Sequence, residues 1–164
     1  MLTKSDLETN LERVHNWIKA ADQKVSIFLA FQGVVFTLLF GSVFSWTNEN
    51  IRNLSCTNTL ILISGIILVA YSIYKSTSAI IPRLAKDKNK KSITYFGDIA
   101  KFNLGDFKEA IKETNTDEYE IELVEQIHIS SKIATRKHSQ FRDAILTFFA
   151  GMILLVISFL LFKI

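Results

Sequence analysis

The sequence predicts an all-α membrane protein with three transmembrane helices, two of them continuous with cytoplasmic helices around a small, mostly helical cytoplasmic region. Residues 25–46, 57–74 and 144–162 contain no Asp, Glu, Lys or Arg. A helix rises about 1.5 Å per residue, so each of these runs approaches a hydrocarbon core of roughly 30 Å. The 164 residues include 13 Phe but only 6 Gly and 1 Pro, which favours long helices over loops.

The positive charges orient these spans. Four of the 19 Lys and Arg residues lie in residues 1–24 and thirteen in residues 75–143, whereas residues 47–56 contain only Arg52. Because cytoplasmic segments carry the excess of positive charge, residues 1–24 and 75–143 are predicted inside. The predicted order is a cytoplasmic amphipathic helix (1–24), transmembrane helix 1 (25–46), a short periplasmic loop (47–56), transmembrane helix 2 (57–74), a cytoplasmic region (75–143), transmembrane helix 3 (144–162) and a periplasmic end (163–164).

The N-terminal segment has the pattern of an amphipathic helix. Ser5 and Glu8 stand at capping-box spacing, which predicts that the helix begins there. Apolar residues then recur at steps of four and three along one face: Leu7, Leu11, Val14, Ile18, Ala21 and Val25. No Gly or Pro interrupts this segment before the first span, so one helix is expected to run from the cytoplasm into the membrane. Its apolar stripe needs a partner, either the central segment or the same helix of another subunit.

The first span carries small and polar residues with a defined spacing. Gly33, Thr37 and Gly41 follow one another at intervals of four, with Ala30 a turn earlier. This spacing permits close helix approach in lipid. The amide of Gln32 is costly to expose to hydrocarbon, so it either forms a hydrogen bond inside a helix bundle or lines a pore.

Turn signals in the central segment, residues 75–143, predict where its helices begin and end. The second helix is predicted to continue until Pro82, and the basic residues Arg83, Lys86, Lys88, Lys90 and Lys91 follow it. Residues 92–97 have an extended character, and Asp106 is predicted to cap a helix that ends at Glu113. From Glu118 onward no Gly or Pro occurs before Gly151, which predicts a second cytoplasmic helix continuing into the third span.

No motif for catalysis is present, and we expect a protein that is not an enzyme and needs no cofactor. The three histidines, His15, His128 and His138, lack a metal-ligand spacing, and Cys56 is the only cysteine, so no internal disulfide can form. The chain has no P-loop, dinucleotide-binding fingerprint or nucleophile elbow. Membrane topology accounts for the basic charge, so no DNA or RNA partner is expected.

A second basic cluster lies ahead of the third span, at Lys132, Arg136, Lys137 and Arg142. Attraction to the anionic lipids of the inner membrane explains both clusters without a ligand. The alternative is a small nucleotide pocket, in which cations neutralise a phosphate while Tyr95 or Phe96 stacks on a base. On this second interpretation, Tyr95, Lys132 and Arg136 are the candidate nucleotide-binding residues.

Three segments resemble the transmembrane effectors of bacterial Pycsar antiphage systems. They are Trp17 with Ala21, Asp22 and Lys24, then YFGDIA at residues 95–100, then QIHISSKIATRK at residues 126–137. The resemblance covers nearly the whole chain. It implies a multi-pass protein of the bacterial inner membrane and a partner pyrimidine nucleotide cyclase. It further implies cyclic CMP or cyclic UMP as the activating ligand, and membrane damage that kills or arrests the infected cell.

Further expectations concern assembly and coupling. The sequence shows no separate cyclic-nucleotide-binding module, so the sensor is the cytoplasmic region itself or a partner protein. That region, about 90 residues with the N-terminal helix, is small for a stable core, and a homo-oligomer is therefore expected. Asp22 and Lys24 are predicted to couple the N-terminal helix to the first span. The alternatives are an accessory inner-membrane subunit that anchors a partner through the stripe of residues 7–25, and an unregulated small toxin.

Overall fold

The computed structural model describes residues 3–50, 55–81 and 92–163, and within these residues every regular element is a helix. The helices are α1 (Lys4–Asn50), α2 (Cys56–Ile80), α3 (Phe96–Ile99), α4 (Leu104–Glu113) and α5 (Thr116–Lys163). By length and composition, α1, α2 and α5 can each cross a membrane. The predicted all-α membrane fold with three spanning helices is confirmed.

The two long helices are unbroken, as the absence of Gly and Pro from the stretches that lead into the first and third spans predicts. α1 has 47 residues and α5 has 48, and each contains one predicted span together with the polar segment attached to it. The predicted cap of α1 is displaced by two residues. The backbone N–H of Thr3 donates to the Asp6 carboxylate at 2.9 Å, and the Asp6 N–H donates to Thr3 Oγ1 at 3.3 Å, so the capping box is Thr3–Asp6 rather than Ser5–Glu8.

The middle of the chain differs from two local predictions. Only the first part of residues 92–97 is non-helical, because α3 already begins at Phe96. The cap of α4 is Asn103, whose Oδ1 accepts a hydrogen bond from the Asp106 N–H at 2.8 Å. Asp106 lies inside the first turn, where the positive end of the helix dipole stabilises its carboxylate. The basic residues between 83 and 91 lie outside the described residues.

The chain divides into two units. We call Met1–Ala20 with Pro82–Arg136 the hydrophilic unit, and Ala21–Ile81 with Lys137–Ile164 the membrane unit. Both α1 and α5 contribute residues to each unit.

In the hydrophilic unit, α5 lies against the apolar stripe of α1. Leu7 and Val14 of α1 are buried, as are Leu123 and Ala134 of α5. Polar contacts join the same two helices at Glu8 with Tyr119 and at His15 with Ser130. The partner of this stripe is therefore the central segment of the same chain. Since Leu7 and Val14 are covered, this part of the stripe is not free to anchor another protein.

In the membrane unit, the buried face of α2 repeats every three and four residues: Asn58, Leu62, Gly65, Val69, Ser72, Ser76 and Ala79. This heptad-like period is typical of helices that pack along a left-handed seam. An apolar cluster of Leu62, Val69, Phe148 and Leu155 fills the middle of the unit. A Cβ atom placed on Gly151 lies only 3.0 Å from the Gly65 carbonyl oxygen, so the two glycines permit the close approach of α2 and α5.

The small residues of the first span leave room for a further side chain in the described part of the chain. A Cβ atom on Gly33 or Gly41 meets nothing within 4 Å. Ala30 and Thr37 are exposed as well, and the Thr37 hydroxyl donates to the backbone carbonyl of Gly33. The close helix contact inside the chain uses Gly65 and Gly151 instead, on the other two spanning helices.

Candidate functional site

A group of polar side chains surrounds one end of the membrane unit, where α2 terminates. We call Asp22, Lys75, Lys137, Gln140 and Asp143 the polar belt. Lys137 Nζ donates to the carboxylate of Asp22, which ties α5 to α1. Lys75 Nζ lies 3.9 Å from the Asp143 carboxylate, and Gln140 Nε2 donates to Ser78 Oγ at 3.4 Å. These contacts join all three spanning helices just outside their uncharged runs.

The structure treats the two predicted coupling residues differently. Asp22 is half-buried and paired with Lys137. Lys24 is exposed, and no hydrogen bond or ion pair of Lys24 occurs among the described residues. The coupling role of both residues stays a prediction, but only Asp22 has a contact that links two helices. The sequence prediction missed its partner Lys137, although Lys137 stands at the end of the QIHISSKIATRK segment.

A buried hydrogen-bond chain lies deeper in the membrane unit. Gln32 Nε2 donates to Ser72 Oγ at 2.6 Å, and Ser72 Oγ donates to the Ala144 carbonyl at 2.5 Å. Gln32 has no exposed surface, so its amide is held inside the bundle, as one of the two sequence interpretations predicts. These hydrogen bonds again connect α1, α2 and α5. In a medium without water such a hydrogen bond holds helices together because the unpaired groups have no other partner.

In the hydrophilic unit, a cluster of hydroxyl groups surrounds Glu122 of α5. Ser92 Oγ and Thr94 Oγ1 each donate to Glu122 Oε2 at 3.2 Å. The Tyr95 N–H donates to Ser92 Oγ at 3.1 Å. Residues 92–95 are thereby fixed against α5, and the Tyr95 ring packs beside that of Phe96 with centroids 4.9 Å apart. Phe96 itself is 69% exposed.

The three predicted nucleotide-binding residues all lie in the hydrophilic unit but do not converge. Lys132 and Arg136 are exposed, one turn apart on α5. Tyr95 lies next to Thr94, which contacts α5 at Glu122. Lys132 stands ten residues further along the helix, about 15 Å away at 1.5 Å per residue. Within the described part of the chain no hydrogen bond links Tyr95 to either cation, and their nucleotide-binding role stays a prediction.

Two titratable groups of the hydrophilic unit are shifted by their surroundings. Hydrogen bonds from Thr3 hold the pKa of the Asp6 carboxyl below its ordinary value of 3.8. Burial and the nearby Glu8 carboxylate raise the pKa of the Tyr119 hydroxyl above 10.0. The Tyr119 hydroxyl donates to Glu8 Oε1 at 3.3 Å, and Lys4 Nζ lies 4.7 Å from the centre of the Tyr119 ring. Both groups stabilise the start of α1.

Within residues 3–50, 55–81 and 92–163, no three His, Cys, Asp or Glu side chains lie close enough together to hold a metal ion. His15 contacts Ser130 instead, with 3.5 Å between Nε2 and Oγ.

Comparison with known proteins decides the family. A sequence profile described as "Pycsar effector protein domain" (PycTM) matches residues 6–162, which include all three spanning helices and most of the hydrophilic unit. The chain belongs to the PycTM family of Pycsar effectors. It is also similar to the "Pycsar effector protein GmPycTM" of Gulbenkiania mobilis, with 27% identity over 177 aligned residues, 94% of this chain and 90% of the relative. No solved structure matches the chain.

The PycTM assignment gives the observed features a context. It confirms the resemblance read from the three sequence segments, and it places the chain in a system that includes a cyclase. All three segments carry contacts described above. Asp22 and Lys137 join α1 and α5. Tyr95 of the YFGDIA segment donates its backbone N–H to Ser92, which binds Glu122 together with Thr94.

Proposed function

We propose that this chain is a membrane effector of a bacterial antiphage system, activated by cyclic CMP or cyclic UMP from a partner pyrimidine nucleotide cyclase. Activation impairs the inner membrane, and the infected cell dies or stops growing, an abortive infection. The observation that carries the proposal is the family match over residues 6–162, combined with three helices able to span a membrane. The N-terminus is cytoplasmic, because the Lys and Arg residues concentrate in the segments on that side.

The sensor in this proposal is the hydrophilic unit. Its α5 surface exposes Lys132 and Arg136, which are suited to a phosphate, and Tyr95 and Phe96 supply aromatic rings for a base. Because these two groups do not converge in this structure, nucleotide binding has to bring them together. Anionic lipid headgroups remain the other ligand that suits the two cations. A nucleotide titration with and without anionic lipid separates these two uses, because only a phosphate site for the nucleotide saturates in detergent alone.

Oligomerisation makes the switch energetically accessible. Moving a two-state protein from about 1% to about 99% active needs a differential binding free energy of ~5.5 kcal/mol. One nucleotide on a unit of this size supplies part of that amount, and several subunits switching together share the requirement. Exposed apolar side chains in the hydrophilic unit favour contact with a second copy; they include Leu104, Ile121 and Val124.

The test combines cells and purified protein. The chain is expressed with an active pyrimidine nucleotide cyclase or with the same cyclase inactivated, and membrane potential is followed with a dye. Depolarisation is expected only with the active cyclase. Calorimetry on the detergent-purified protein then measures binding of cyclic CMP and cyclic UMP. Absence of binding at millimolar nucleotide removes the direct-sensor role, and depolarisation with the inactive cyclase shows an unregulated toxin instead.

A further inference from the structure

The buried face of the membrane unit carries polar side chains at two separate levels. At one level are Gln32, Ser72 and Ser76. At the other, Ser158 Oγ donates to Asn58 Oδ1 at 2.7 Å, and both residues are buried. Asn58 and Ser72 lie on the same face of α2, about 21 Å apart at 1.5 Å per residue. The core of the unit therefore has a polar site near each end.

The first polar level is incompletely paired. Gln32 Oε1 and Ser76 Oγ are both fully buried, and neither has a hydrogen-bond partner among the described residues. Buried polar atoms without a partner carry their full desolvation penalty, and in native proteins an internal water usually removes it. Ser76 stands one helical turn from Ser72, the residue that accepts the Gln32 amide. Gln32, Ser72 and Ser76 therefore place polar groups of α1 and α2 within about one helical turn of each other, and an internal water needs several such groups.

Between the two levels the core is apolar. The intervening residues on the buried face of α2 are Leu62, Gly65 and Val69. Phe148 of α5 packs against them at 1% exposure, and its ring lies 5.5 Å from that of Phe28. The contact of Gly65 with Gly151 brings α2 and α5 close together at the level of this apolar core. Water crosses such a constriction only when the apolar side chains separate.

We propose that the membrane unit binds water at Gln32, Ser72 and Ser76, and that the cluster of Leu62, Val69, Phe148 and Leu155 is a hydrophobic gate. The gate separates this water site from the Asn58–Ser158 pair, and the core of the unit conducts protons when the gate becomes wet. This inference deepens the proposed membrane impairment, because it assigns the path of the leak to the core between α1, α2 and α5.

The test is proton flux without any nucleotide. The protein is reconstituted into phosphatidylethanolamine and phosphatidylglycerol liposomes that contain a pH-sensitive dye, and an external pH step is applied. Phe148→Ser introduces a hydroxyl group into the gate, whereas Phe149→Ser makes the same change at a neighbour that is 55% exposed. We expect Phe148→Ser to equilibrate about tenfold faster or more, since it removes the apolar surface that opposes wetting. Equal rates for the two variants overturn the gate.

Two further variants separate wetting from loss of packing. Phe148→Leu also removes ring contacts but keeps the gate apolar, so it should stay close to the wild-type rate; a leak equal to that of Phe148→Ser contradicts the gate. Gln32→Met, added to Phe148→Ser, removes the polar group of the water site and should slow the leak several-fold; an unchanged leak contradicts the water site. If Phe148→Ser does not fold, Val69→Ser with Ile67→Ser as its exposed control repeats the comparison.

The outcome is distinguishable from failure of the proposed function. A fast leak in Phe148→Ser, with no response of the wild-type protein to cyclic nucleotides, rejects the activation mechanism and keeps the gate. A nucleotide-dependent leak in the wild-type protein, with identical rates for Phe148→Ser and Phe149→Ser, rejects the gate and keeps the activation.

Discussion

The carboxylate of Asp22 on α1 accepts a hydrogen bond from the ammonium group of Lys137 on α5, although 115 positions separate the two residues in the chain. The Lys137 side chain is only 15% exposed, compared with 39% for Asp22. The Lys137 ammonium group is therefore largely shielded from solvent, and its charge is balanced by the Asp22 carboxylate. The pair fixes the two longest helices to each other close to the point where their uncharged runs begin.

Removal of this pair should destabilise the membrane unit, whereas removal of the neighbouring Lys24 charge should not. We expect Asp22→Asn to lower the free energy of unfolding by about 1 kcal/mol, because it leaves a largely buried ammonium group unpaired. Lys24→Gln changes an exposed side chain and serves as the control. Unfolding of both variants in detergent gives the comparison. Equal losses in the two variants mean that the pair has no special role.

The buried hydrogen-bond chain should be sensitive to Ser72. In Ser72→Ala the Gln32 amide loses its partner inside the bundle, and we expect a loss of about 1–3 kcal/mol in unfolding free energy. Ser64→Ala is the matched control, because the Ser64 hydroxyl is exposed and donates only to the Leu60 carbonyl of its own helix. A tolerated Ser72→Ala shows that Gln32 finds another partner, and the three-helix connection described here is then wrong.

The glycines of the spanning helices should fall into two classes. Gly151→Ala places a methyl group 2.9 Å from Val69 Cγ2 and 3.0 Å from the Gly65 carbonyl, and overpacking of this kind costs about 1–3 kcal/mol. Gly33→Ala meets no atom within 4 Å, so it should be neutral or stabilising within the single chain. Unfolding in detergent measures both.

The Gly33 variant also tests the expected oligomer. If Gly33→Ala leaves unfolding of the single chain unchanged but weakens self-association, measured by cross-linking in liposomes, the exposed stripe of small residues contacts a second copy. If both variants unfold alike, the distinction between the packed and the open glycines fails.

Alkaline pH should weaken the contact of α1 with α5 in the hydrophilic unit. The pKa of Tyr119 is raised above 10.0 in the folded protein by burial and by Glu8, so the unfolded chain ionises first. The stabilising contribution of Tyr119 is therefore complete below pH 10 and declines as the pH rises toward the folded pKa. The difference in phenolate absorbance between wild-type protein and Tyr119→Phe should show a midpoint above 10, and Glu8→Gln should lower that midpoint. A midpoint at or below 10 contradicts the assignment.

Long-range architecture was predictable because the relevant signals are local and repeated. Uncharged runs marked the spans, and the lack of Gly and Pro where the polar segments lead into the first and third spans predicted that α1 and α5 continue without a break. The amphipathic spacing from Leu7 onward predicted the buried face of α1. The cap of α1 was misplaced because Thr3 with Asp6 and Ser5 with Glu8 have the same spacing, and only the structure shows which pair closes.

Contacts between distant residues were not predictable in the same way. The sequence indicated that Gln32 needs a partner, but nothing in it identified Ser72 among the serines of the second span. Small-residue spacing drew attention to Gly33 and Gly41, whereas the close approach inside the chain uses one glycine from each of two helices, Gly65 and Gly151. A pair formed by single residues on different helices leaves no periodic pattern in either helix. The same limit applies to Lys137, which was grouped with Lys132, Arg136 and Arg142 as a basic cluster that contacts anionic lipid.

The most direct test of the central claim is permeability of liposomes that contain the purified wild-type chain, measured before and after addition of cyclic CMP or cyclic UMP. The account predicts a stable, low leak without nucleotide and a saturable increase with at least one of the two, while adenosine monophosphate has no effect. An unchanged leak with both nucleotides at millimolar concentration, in liposomes where the protein is folded and inserted, contradicts direct activation of this chain by a cyclic pyrimidine mononucleotide.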